Sequence, residues 1–203
     1  MSKQRIIDEA EKLIIMNGVK ATTMDDIAKY LGISKRTIYE HFKDKSELIE
    51  TILDNAYKKN QKQEVIIFSE SDNVLEGLLK ILRTRKSSIN LQKVRTALEL
   101  KRYYPEIFNK MMCEHDGMQK LESTFEQGKQ EGVFRSDVNV KTSAFLFSEQ
   151  SRILFTEHFG TVDYNEHIDI PTLQIFEDLF LNFLRGISTQ KGIEIIEKYI
   201  SEK

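Results

Sequence analysis

Thr23 and Ser34 are both residues that start helices, and Gly32, a residue that ends them, stands just before the second. A hydroxyl at an N-cap accepts a backbone N–H that the first helical turn leaves unpaired, and glycine adopts the left-handed conformation that closes a helix. After Thr23, Met24, Ile27, Ala28 and Leu31 repeat at helical spacing, and Asp26 stands three residues beyond the cap. The pattern predicts two brief helices joined by a tight corner that Ile33 plugs, a helix-turn-helix spanning residues 23 to 42. In the second helix Ile38 and Phe42 share one face at i and i+4 and point inward, whereas Lys35, Arg36, Tyr39 and Lys43 gather on the opposite face.

Flanking segments supply what that motif packs against. Ile6, Ala10, Leu13 and Ile14 make an apolar stripe on an earlier helix that Gly18 ends. Asp44 and Glu47 resemble a capping box for a linking helix, from about 45 to 67, that carries Leu48, Ile49, Ile52 and Leu53. Val74, Leu75, Leu78, Leu79 and Leu82 then open a larger body. Pro105 marks the first turn of a long helix holding Ile107, Phe108, Met111, Met112, Leu121 and Phe125, which Gly132 closes. Further helices are expected from about 141 to 159 and 171 to 187, with a tail bearing Ile193, Ile196 and Ile200. Two prolines and nine glycines in 203 residues leave little punctuation for short strands. The expected fold is all-α: an N-terminal three-helix helix-turn-helix domain (residues 1–45) and a larger C-terminal helical bundle that dimerises (residues 68–203).

The formal net charge is −2, yet nucleic-acid binding depends on local clusters of Lys and Arg rather than on the total. Between residues 29 and 45, Lys29, Lys35, Arg36, Lys43 and Lys45 outnumber the acids Glu40 and Asp44. Lys or Arg near the start of a helix in the major groove reaches guanine edges, which makes Lys35, Arg36 and Thr37 the candidate readers of double-stranded operator DNA. Tyr39, His41 and Lys45 offer donors for phosphate oxygens, and Thr23 with the first amides of its helix offers another. Asp25, Asp26 and Glu40 work against a very tight grip, because acids repel phosphates.

The run ATTMDDIAKYLGISKRTIYEHFKDKSELI resembles the DNA-binding signature of the tetracycline-repressor (TetR/AcrR) family, over roughly residues 3 to 55. That resemblance implies a nine- or ten-helix protein whose N-terminal domain binds operator DNA and whose C-terminal body binds a small effector and dimerises. It also implies that Lys35, Arg36 and Thr37 read bases while Thr23, Ser34, Tyr39, His41 and Lys45 hold the backbone. Two positions depart from the pattern. Arg36 stands where many relatives carry a small residue, and Glu40 stands where an aromatic phosphate contact is common, so the operator sequence does not carry over.

In the larger body Tyr103, Tyr104, Phe108, Met111, Met112 and Phe125 offer aromatic and flexible surfaces suited either to an effector cavity or to plain core. Apolar positions spread widely around the last two long helices, Phe147 and Phe155 on one and Phe176, Phe180, Phe183 and Leu184 on the other. Such breadth predicts both a core and a four-helix homodimer interface. Cys113 is the only cysteine, which excludes an internal disulfide and a cysteine-rich zinc site. His115, His158 and His167 show no tight metal-ligand spacing, so neither metal nor cofactor is expected. Without a phosphate-binding glycine loop, an HExxH motif or a nucleophile with its base, no enzyme activity is expected. The opening MSKQRIIDEAEK lacks the apolar stretch of a signal peptide, and no run is long enough to span a bilayer, which predicts a cytoplasmic protein with no membrane partner. A DNA-bound architectural or protein-recruiting factor without a small ligand is the alternative function.

Overall fold

The computed structural model describes residues 2–88, 91–113, 117–153 and 172–202. Among them are eleven helices: α1 (Lys3–Asn17), α2 (Met24–Leu31), α3 (Lys35–Tyr39), α4 (Lys45–Ser69), α5 (Val74–Ser88), α6 (Leu91–Tyr103), α7 (Pro105–Cys113), α8 (Gly117–Gln130), α9 (Val140–Ile153), α10 (Thr172–Ile187) and α11 (Gln190–Ser201). The extended pairing described between them is one isolated bridge, Phe134 with Ser188. No helix among the described residues is long and apolar enough to cross a membrane.

The chain folds as two compact units, Met1–Lys62 with Ile89–His115, and Gln63–Ser88 with Asp116–Lys203. Sequence periodicity leads one to expect a single body over 68–203, and here the structure differs. Leu100 on α6 and Ile107 and Phe108 on α7 bury their side chains in the same core as Ile6, Ala10, Ile27, Ile38, Phe42 and Leu48. Of the long helix expected after Pro105, the described residues form α7, in the first unit, and α8, in the second. Periodicity tells which face of a helix is apolar but not which of two cores it fills, and that choice is made by tertiary packing.

The first unit realises its sequence signals closely. Thr23 Oγ1 accepts from Asp26 N–H at 3.1 Å and Thr23 N–H donates to Asp26 Oδ2 at 2.9 Å, a reciprocal cap for α2. Gly32 ends α2 at φ +65°, in the left-handed conformation. At the head of α4, Glu47 N–H donates to Asp44 Oδ1 at 2.9 Å while the Glu47 carboxylate accepts from Lys43 N–H at 2.6 Å.

The second unit is centred on aromatic packing. Phe125 of α8 meets Phe134 edge-on at 5.6 Å, Phe147 of α9 meets Phe180 of α10 at 4.8 Å, and Phe183 stacks on Phe125 at 6.1 Å. Gly128 makes the tight approach at this core, since a Cβ there would sit 2.2 Å from the Phe134 ring. Phe176, Phe180 and Leu184 are buried within this single chain, and Phe147 and Phe183 pack against the same cluster. Of the residues expected at a dimer interface, Phe176, Phe180 and Leu184 are thus buried in the core of one chain, while Phe147 and Phe183 are partly buried. Phe155 lies outside the described residues. Among the described residues, the large apolar side chains that α9 leaves exposed are Phe145 and Leu146, 54% and 45% accessible.

Candidate nucleic-acid interface

Helix α3 is only five residues long, so its orientation rests on anchors at both ends. Ser34 starts it: its Oγ accepts from Thr37 N–H at 3.1 Å and shares a 2.8 Å hydrogen bond with the Thr37 hydroxyl. At its other end the backbone keeps turning, with Phe42 N–H bonded to Ile38 O at 3.0 Å. Ile38 is fully buried and Phe42 nearly so, which pins the inward side. Lys35, Arg36, Tyr39 and Lys43 are exposed on the surface left over.

Each expected contact residue has a definite place. Lys35 Nζ pairs with Asp25 Oδ1 of α2 at 2.8 Å, and the bond with that carboxylate, together with its charge, raises the lysine pKa. Arg36, 89% exposed, gives its Nε to Glu40 Oε1 at 3.3 Å. His41 is half-buried beside Phe42, whose other neighbour is Lys3, with its ammonium 4.9 Å from the ring centre. Thr23, Ser34 and Thr37 use their hydroxyls in local caps, where they also set the helix directions.

Lys45 departs from the expectation of a phosphate contact. Its half-buried ammonium donates to the Val19 carbonyl and lies 5.8 Å from the Tyr104 ring. Burial lowers its pKa, partly countered by the charges of Glu99 and Asp26. The position after the helix-turn-helix suits a phosphate, but the Val19 carbonyl in the turn between α1 and α2 lies within the same reach. That turn holds a second contact the sequence gives no sign of. Glu99, from α6, accepts from Lys20 N–H at 3.1 Å and from Arg95 Nε at 3.1 Å. Burial alone would raise the Glu99 pKa, yet these donors lower it on balance. Gly18 sits under the carboxylate at φ +94°, where a Cβ would come within 2.7 Å of both oxygens.

Of the six residues considered for an effector cavity, Tyr103, Tyr104 and Phe108 belong to the first unit and Phe125 to the second. Phe108 is in the core of the first unit, Tyr104 packs against that core, and exposed Tyr103 lies under the Lys20 ammonium at 4.8 Å. Phe125 belongs to the core of the second unit. The side chains of Met111 and Met112 lie outside those described, as do His115, His158 and His167. Among the described residues, no three His, Cys, Asp or Glu side chains gather as a metal site.

Comparison with known proteins matches this geometry. Residues 6–52 fit the family described as bacterial regulatory proteins, tetR family. An uncharacterized HTH-type transcriptional regulator of Bacillus subtilis, YvaF, is 33% identical over 102 residues, which are 50% of this chain and 53% of that protein. The chain thus spans about half the length of that relative. An HTH-type transcriptional regulator of Staphylococcus aureus is 27% identical over 175 residues, 83% of this chain and 93% of the relative. A TetR-family transcriptional regulator of Pectobacterium atrosepticum shares the fold with a TM-score of 0.69 at 16% identity, over 92% of this chain and 94% of that one. Residues 6–52, which hold the outward cationic helix, are thus similar to the tetR family of bacterial regulatory proteins, and the relatives that the chain resembles are described as HTH-type transcriptional regulators.

Proposed function

We propose that the protein is a repressor that binds operator DNA as a homodimer and is released by a small-molecule effector. The observation that carries the DNA half is the outward set Lys35, Arg36, Tyr39 and Lys43, held in register by buried Ile38 and Phe42. One five-residue helix sees few base pairs, so two reading heads on half-sites about 34–36 Å apart multiply specificity. The exposed pair Phe145 and Leu146 on α9 supports the second copy.

For release, support comes from α6, which grips the α1–α2 turn through Glu99. A displacement of α6 moves that turn, and with it the start of α2 and the seat of α3. The effector itself is assigned to the second unit, because Tyr103, Tyr104 and Phe108 are engaged in the first. Coupling of this kind is reciprocal: saturating operator weakens effector binding by the factor through which effector weakens operator binding.

Selection of bound duplexes from a random pool tests the reading. A shared inverted repeat is the expected product, and Arg36→Ala broadens the selected consensus. Recovery of sequences indistinguishable from the input pool contradicts it. If a consensus emerges but no metabolite fraction of the cell releases the complex, the effector half fails and a DNA-bound recruiting factor becomes the better description.

A further inference from the structure

Two reading cations are each held by a carboxylate, but in different ways. Lys35 meets Asp25 end-on through a rotating ammonium, which has no fixed direction to present to a base. Arg36 is held by Nε alone, the nitrogen nearest the stem, at 3.3 Å from Glu40 Oε1 one turn along the same helix. A guanidinium fixed at Nε keeps its two terminal amino groups as a planar fork, and that fork is matched to O6 and N7 of guanine.

We infer that Glu40 is a positioning residue for Arg36, holding the guanidinium by Nε so that its terminal amino groups present a bidentate fork to a guanine edge. The inference rests on the DNA-binding function proposed above. Glu40 is a poor neighbour for phosphates and weakens the sequence-independent part of binding, yet an ordered fork loses less rotamer freedom when it meets its base. The two effects have opposite signs, and this separates positioning from simple charge. Asp25 provides the contrast: it removes the same charge from the surface when neutralised but orders no fork.

The experiment uses the full chain, with two duplex probes: the highest-affinity site from the random-pool selection and a random sequence of equal length. Glu40→Gln is expected to raise affinity for the random duplex while lowering the selected-to-random affinity ratio, by about twofold per reading head and about fourfold on a two-head site, the scale of an exposed i,i+4 pair. Asp25→Asn is expected to raise affinity for both probes without lowering that ratio. In an Arg36→Lys background, which keeps the charge and removes the fork, Glu40→Gln leaves the ratio where it was. A ratio unchanged by Glu40→Gln, or lowered equally in the Arg36→Lys background, overturns the positioning role while DNA binding stands. A parent chain that prefers no selected site over random duplex overturns the sequence-reading function and this inference together.

Discussion

Lys43 and Lys45 sit two positions apart in the sequence, and the structure gives them different roles. Lys43 is exposed beside α3, whereas Lys45 turns inward to the Val19 carbonyl and the Tyr104 ring. Lys43→Ala is therefore expected to weaken binding to all sequences and to reduce the salt slope by about one, with little change in thermal midpoint. Lys45→Ala lowers the midpoint and leaves the slope nearly unchanged; the reverse pattern in a paired salt and melting series would return Lys45 to the phosphates. Glu99 is a second residue-scale test. Its pKa is lowered in the folded protein, so its stabilising effect is present above the unfolded value and is lost as pH falls through the folded one. Glu99→Gln should cost about 1 kcal/mol near pH 7, and the gap to the parent should close as pH drops below about 4. A gap that stays constant across that range would show that the carboxylate charge is not what holds the turn.

At the scale of elements, legibility followed locality. The caps at Thr23, Ser34 and Asp44 and the stop at Gly32 were readable because each is a bond between residues three or four apart. The inward face of Ile38 and Phe42 was readable from helical spacing alone. Helix α6 gave no comparable signal, and the Glu99 contact with Lys20, 79 residues away, has no local trace. The wide apolar face of α10 was legible, but its meaning was not: breadth fits both a partner and a deep core, and Phe176, Phe180 and Leu184 fill the core. In the second unit Gly128 accommodates the Phe134 ring, so Gly128→Ala overpacks the core and should cost roughly 1–3 kcal/mol in a denaturant titration. A change below a few tenths of that would mean the ring has room to retreat.

Over the whole molecule, the proposed function gives DNA binding to the first unit and pairing and control to the second. Because Phe147, Phe176, Phe180, Phe183 and Leu184 pack in or against the core of one chain, pairing is assigned to the exposed Phe145 and Leu146. Replacing both with aspartate should leave helicity intact and shift the species seen by sedimentation from two chains to one, whereas Phe180→Ala should cost several kcal/mol of fold stability; an unshifted sedimentation value places the pairing face elsewhere. The central claim is that α3 presents its cations outward to nucleic acid. A titration of the full chain against labelled duplex across a salt series tests it most directly. Association at low salt that falls linearly on a log–log plot, less steeply for a Lys35→Ala, Lys43→Ala variant, is the expected result. No association at the lowest salt, or a slope indifferent to those two lysines, would contradict it.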